Sequence, residues 1–188
     1  ARYDFALPLE PRPRRAALLM ALCLRIAVAV TALSMPVGLT LWWWQGLEQA
    51  WLLPLAVLAA GGVQWLGLWA TRGHRFGLLA TARLVQQGGA AVMQVLLGLL
   101  KLGLWGLWLG PVLAGLAATW LLARPAPQGG WRRLLRQPLR RLQAMAAQHR
   151  DFPLDNTPHA FAGALQDTLA LLLIAAWAGD AAAGFWAL

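Results

Sequence analysis

Five runs of about twenty apolar residues, separated by loops that are alternately rich and poor in arginine, constrain this chain more than any other feature. A bilayer core of about 30 Å takes roughly 20 apolar residues per helix, and the runs fall at residues 16–41, 49–70, 77–100, 102–123 and 160–178. A sixth run begins near Ala181. Backbone groups cannot stay unpaired in lipid, so such runs form helices, and the period-2 alternation of a membrane barrel is missing. The expected fold class is therefore all-α, a polytopic bundle of transmembrane helices. Charged residues make up only 12% of the chain, against about a quarter in soluble domains.

The loops set an orientation. Arg2, Arg12, Arg14 and Arg15 precede the first run, and Arg72 and Arg75 separate the second from the third. Arg124, Arg132, Arg133, Arg136, Arg140, Arg141 and Arg150 separate the fourth from the fifth. The intervening loops hold only Lys101, Glu48 and Asp180. Basic loops stay in the cytoplasm, so the Trp42-Trp43-Trp44 cluster becomes an aromatic anchor at the outer face, with Trp51 nearby. The expected location is a bacterial inner membrane, crossed several times.

Residues 124–158 make the one long extramembrane segment. Pro125, Pro127, Gly129 and Gly130 break the preceding helix. Trp131, Leu134, Leu135, Leu139, Leu142, Met145 and Ala146 then recur at helical spacing, with Pro138 splitting the stretch or opening its second helix. Arg132, Arg133, Arg136, Arg140 and Arg141 take most of the other face. Such a segment is expected to lie in the interface, apolar side down and arginines at anionic headgroups. Nucleic-acid binding is the competing reading of this charge, and no nucleic-acid partner is expected. The apolar stripe and the tether at each end suit a membrane surface better.

Charges inside spans cost about 2.5–3.5 kcal/mol on insertion scales. Arg25 sits about nine residues into the first run, roughly 13 Å deep. Arg83 shares a helical face with Gln87 and Gln94, bordered by Gln86. These residues form a polar stripe that fits a wet cavity, where guanidinium forks grip phosphate and amides bond sugar hydroxyls. Plainer readings stand beside it. Arg83 reaches the headgroups along its own stem, Arg25 pairs with Asp167, and the glutamines bind neighbouring helices. Asp167, beside Gln166 and Thr168, either carries a coupling proton or cation or neutralises an arginine. Gly106, Gly110, Ala114 and Ala118 are spaced by four, which favours close helix packing, and Lys101–Gly103 reads as a tight turn between two antiparallel spans. Cys23 lies in an apolar run and allows no intrachain disulfide. His74, His149 and His159 lack ligand spacing, and no nucleotide, serine-hydrolase or metal motif occurs, so no cofactor and no enzymatic activity are expected.

Short motifs, in order along the chain, resemble a known family. Arg2-Tyr3-Asp4-Phe5-Ala6 with Leu7-Pro8 resembles the Arg-Tyr-Glu-x-Ala-x-x-Leu-Pro segment before the third helix of bacterial polysaccharide flippases. Arg75-Phe76, Ala80, Arg83, Gln87, Gln94 and Leu97-Gly98 resemble their fifth helix. Gly103-Leu104-Trp105-Gly106-Leu107 with Gly110 resembles the turn into the sixth, and His149 to Pro158 resembles the entry to the seventh. Gly179-Asp180 with Ala183 to Leu188 resembles the stretch beyond that seventh helix. Asp4 replaces the usual Glu, Asp155 an aromatic residue and His149 a Tyr.

The family is the oligosaccharide-flippase branch of the multidrug/oligosaccharidyl-lipid/polysaccharide exporter superfamily. The resemblance implies two lobes of six helices, with this chain an internal piece holding helices three to seven. Residues 1–123 would end the N-terminal lobe, residues 124–158 would link the lobes, and residues 159–188 would begin the second. It further implies transport of undecaprenyl-pyrophosphate-linked oligosaccharide for O-antigen, capsule or exopolysaccharide, with polysaccharide-assembly proteins as candidate partners. Substrate binding would then fall to Arg25, Arg83, Gln86, Gln87 and Gln94, and ion coupling to Asp167. A drug or small-molecule efflux carrier of the same superfamily, or a membrane-embedded polysaccharide-assembly protein, are the alternatives.

Overall fold

The computed structural model describes residues 2–125, 130–179 and 184–186, apart from the side chains of Arg2, Gln45 and Asp167. The described residues form helices and the turns between them, with no strand among them. A 3-10 turn, Arg2–Ala6, precedes α1 (Pro13–Gln45), and a second, Glu48–Leu52, leads into α2 (Leu53–Arg72). Then come α3 (Phe76–Leu99), α4 (Leu104–Ala123), two short helices α5 (Gly130–Leu135) and α6 (Leu139–Gln148), and α7 (Asp151–Ala178). Residues 3–148 form one compact unit, and residues 1–2 with 149–188 belong to another.

Four helices are long and apolar enough to cross a membrane: α1, α2 with its preceding turn, α4 and α7. In these no more than 39% of the most apolar stretch is buried, so their apolar side chains mostly face outward. Val28, Leu33, Met35, Val37 and Leu39 of α1 are all exposed. A contiguous apolar surface of this kind calls for a partner, and a lipid bilayer is the one its length fits.

The third expected span is the helix α3, 24 residues long. It does not count among the four, because Arg83, Gln86, Gln87 and Gln94 make it more polar than its neighbours. It nevertheless runs antiparallel to α4 along most of its length. Near one end a side chain on Gly106 would collide with Leu97, and further along one on Gly110 would collide with Gln94 and the Ala90 carbonyl. One on Gly89 would touch Ala114. Gly106, Gly110, Ala114 and Ala118 are all buried, as their spacing of four predicts. The turn between the helices needs Gly103, whose φ of 56° and ψ of −134° lie where side chains are not tolerated.

On its other side α4 meets α2. Thr119 Oγ1 donates to the Ala59 carbonyl at 3.1 Å, and the Thr119 methyl fills the place of a Gly62 side chain. Three arginine-bearing segments gather at one end of this unit. Arg72 donates to the Leu7 carbonyl at 3.1 Å and to that of Glu10, tying residues 7–10 to the end of α2. Gln64 donates to the buried Asp4 carboxylate at 2.8 Å, which gives the acid of the Arg-Tyr-Asp motif a partner. Trp131 of α5 donates to the Ala123 carbonyl at 3.2 Å and stands edge-on to Trp65. At the opposite end Trp51 and Trp105 meet with ring centroids 6.2 Å apart, and Trp42, Trp43 and Trp44 are exposed.

Part of the linker's apolar side is covered by α1. Leu134, Leu142 and Met145 are buried, and α5 and α6 pack against α1, whose Ala16, Leu19 and Met20 are buried as well. Protein thus covers Leu134, Leu142 and Met145 of the apolar stripe, and leaves Leu135 and Leu139 exposed. Arg132, Arg133, Arg136, Arg140 and Arg141 stay at least partly exposed, with Leu135 and Leu139 beside them.

In the second unit α7 starts at Asp151, nine residues before the expected span, so Pro158 lies inside the helix. Of the expected sixth run, only residues 184–186 are described, and they are helical.

Candidate functional site

The polar stripe of α3 is built by helical spacing alone. Arg83 and Gln86 are one turn apart, and Arg83 Nη1 donates to Gln86 Oε1 at 3.4 Å. Gln87 lies next to them, and Gln94 two turns on. An open groove of about 450 Å³ runs along this face, lined by Gln86, Gln87, Ala90, Ala91, Gln94 and Pro111. The structure thus brings the three glutamines together. Arg83 reaches the groove through Gln86 and is itself exposed.

Gln94 also has a structural task. Its Nε2 donates to the Leu107 carbonyl of α4 at 3.2 Å. That carbonyl lies four residues before Pro111, which has no N–H to offer it. A neighbouring side chain restores the bond, as membrane helices with internal proline require. The plainer reading of the glutamines, a tie between helices, therefore holds for Gln94. Ala90, Ala91 and Pro111 complete the groove, and none of them was expected to line a site. Of these, Pro111 carries a signal in the sequence: in mid-helix it leaves the carbonyl four residues earlier in need of another donor.

Arg25 is elsewhere. Its Nη2 donates to the carbonyls of Leu135 at 3.0 Å and Gln137 at 2.6 Å, where α5 ends and the break before α6 begins. A guanidinium there satisfies carbonyls that a helix end leaves open and complements the negative end of its dipole. A depth of roughly 13 Å presumes a span that starts at residue 16. Helix α1 starts at Pro13 and has 33 residues, roughly 50 Å against a core of about 30 Å. Arg25 belongs to the level of the arginine-rich linker, and it does not line the glutamine groove.

Asp167 lies on α7, in the other unit, and its side chain is outside the described residues. No group of three or more His, Cys, Asp or Glu able to hold a metal occurs among the described residues. The groove offers amides that donate and accept hydrogen bonds, with one guanidinium a turn away. Such a set recognises hydroxyl-rich or anionic molecules and supplies no nucleophile.

Fold and composition define a helical protein of membrane-spanning type, with a polar groove on one of its helices. The chain matches no protein-family model, no curated protein and no solved structure.

Proposed function

We propose that this chain belongs to a transporter that flips undecaprenyl-pyrophosphate-linked oligosaccharide across the bacterial inner membrane for O-antigen, capsule or exopolysaccharide synthesis. The observation that carries the reading is the groove on α3, where Gln86, Gln87 and Gln94 line one open face. Side chains of this polarity are costly against lipid and call for a polar counterpart. A sugar, with a hydroxyl on nearly every carbon, matches an amide-lined face. Arg83 adds the fork that binds phosphate oxygens two at a time.

In this reading α3 crosses the membrane beside α4, giving five crossings with the arginine-rich loops in the cytoplasm. Gln86 and Gln87 contact glycan, Gln94 holds the groove wall, and Arg83 meets the pyrophosphate. Asp167 supplies the carboxylate for ion coupling. Arg25 holds the linker rather than the cargo. The order of motifs along the chain supports the family, and transport rather than catalysis is the activity.

The test uses the complete gene in a bacterium lacking its own O-antigen flippase, and in the native host with the gene deleted. Surface polysaccharide and the pool of lipid-linked precursor are measured in both. Restored surface glycan with a falling precursor pool supports flipping. A native-host deletion that leaves both quantities unchanged removes this function.

A further inference from the structure

A second cavity, of about 380 Å³, lies at the arginine-rich end between the start of α1 and the linker helices. Arg14, Arg133 and Arg141 line it together with Gln137, and Leu18 and Leu134 complete its wall. Its volume falls within the roughly 300–1,000 Å³ of small-ligand clefts. The three arginines come from three helices, and Arg14 is more than a hundred residues from the other two, so the fold, not local spacing, assembles them. None of the three makes a salt bridge with a carboxylate among the described residues. The first turn of α1, led by Pro13, opens beside them, with the Glu10 carboxylate next to it accepting from the Arg12 N–H at 3.3 Å, so the arginines and not the helix end supply the field of the cavity.

We propose that this cavity binds the phosphate headgroup of an anionic phospholipid from the cytoplasmic leaflet. Three guanidinium forks at one cavity, without a carboxylate, select a phosphodiester over a zwitterionic headgroup, whose ammonium they repel. The leucines select an amphiphile over free phosphate. Leu18 is half-buried and presents apolar surface to the cavity, with the buried Leu134 behind it, so an apolar wall adjoins the cationic one. Leu135 and Leu139, exposed next to the cavity helices, extend that apolar surface toward the acyl region. A bound lipid would pin α5 and α6 against α1 from outside, as Arg25 does from within. The proposal requires only that the chain sits in a membrane, and it stands apart from what the chain transports.

The test is native mass spectrometry of the whole chain in a neutral detergent, titrated with phosphatidylglycerol, phosphatidylcholine or inorganic phosphate. Two variants with equal loss of charge are compared. One carries Arg14→Gln, Arg133→Gln and Arg141→Gln, and the other Arg132→Gln, Arg136→Gln and Arg140→Gln. None of the six arginines is buried, so neither variant removes core packing, and matching thermal midpoints verify this. Wild type is expected to retain phosphatidylglycerol saturably. The cavity variant should need about tenfold more lipid for half occupancy, and the outer variant less than about threefold, because solvated charges act only diffusely. Equal losses in the two variants, or equal binding of phosphatidylcholine, would overturn the proposal. Displacement of the lipid by millimolar inorganic phosphate would assign the cavity to a soluble anion and overturn it as well.

Discussion

Gln94 and Leu107 are joined across the α3–α4 interface by a 3.2 Å hydrogen bond, from the amide of one to the main-chain carbonyl of the other. The bond answers a deficit created by a third residue, Pro111. A proline that opens the backbone and a glutamine that closes the gap make one unit on facing helices.

That pairing predicts a coupled pair of substitutions. Gln94→Leu should destabilise the hairpin by roughly 0.6–2 kcal/mol, the scale of hydrogen bonds between membrane helices. In a Pro111→Ala background residue 111 supplies the N–H itself, and the same substitution should cost much less. Thermal denaturation of the four proteins in detergent gives the coupling. Equal costs in both backgrounds would show that the glutamine does not serve this carbonyl.

The contact between α2 and α4 predicts a position-specific steric effect. A Cβ on Gly62 would collide with the Thr119 methyl carbon, whereas one on the adjacent Gly61 meets nothing within 4 Å. Gly62→Val is expected to cost about 1–3 kcal/mol by overpacking. Gly61→Val should be nearly neutral. Comparing thermal midpoints of the two variants checks the assigned interface, since a helix rotated by one position would reverse the order.

Arg25 predicts an effect at a distance. Arg25→Met removes two charge-assisted bonds to the linker, each worth about 1.5–3 kcal/mol. The linker should open more often, and trypsin should cut at Arg133, Arg136, Arg140 or Arg141 at least roughly tenfold faster, the effect of losing a single such bond, while α1 to α4 stay intact. Unchanged cleavage would mean that the packing of Leu134, Leu142 and Met145 holds the linker by itself.

For the proposed transport, Arg83→Ala should lower flux about tenfold with unchanged membrane insertion, the loss expected of one phosphate-directed guanidinium. Arg83→Lys should recover only part of it, because an ammonium lacks the fork. Precursor accumulation in the complementing strain is the readout, and full activity of Arg83→Ala takes this residue out of the site.

Local signals carried the helices well. The turn at residues 101–103 and the small residues of α4 announce an antiparallel hairpin, because both act within a few residues of where they stand. The glutamine face of α3 was legible for the same reason. Other features needed the tertiary structure. The amphipathic pattern of the linker says that its apolar side is covered and is silent on whether lipid or α1 covers it. Arg25 reads as a deep intramembrane charge, since its acceptors at Leu135 and Gln137 are main-chain carbonyls more than a hundred residues away and leave no trace in residue type. Pro158 reads as a boundary, yet α7 carries it inside. A single missing N–H is tolerated there at the cost of one hydrogen bond.

The bond from Arg25 to Gln137 spans 112 residues of chain, which sets an order on biosynthesis. At roughly 5–20 residues per second a ribosome reaches the acceptor several seconds or more after the arginine has been made. For that interval the guanidinium lacks both acceptors, and water or lipid phosphate at the headgroup level must serve it instead. The nascent helix must therefore keep this arginine at the membrane surface until the linker emerges and docks. Its lasting partners come from the last part of this unit to be made.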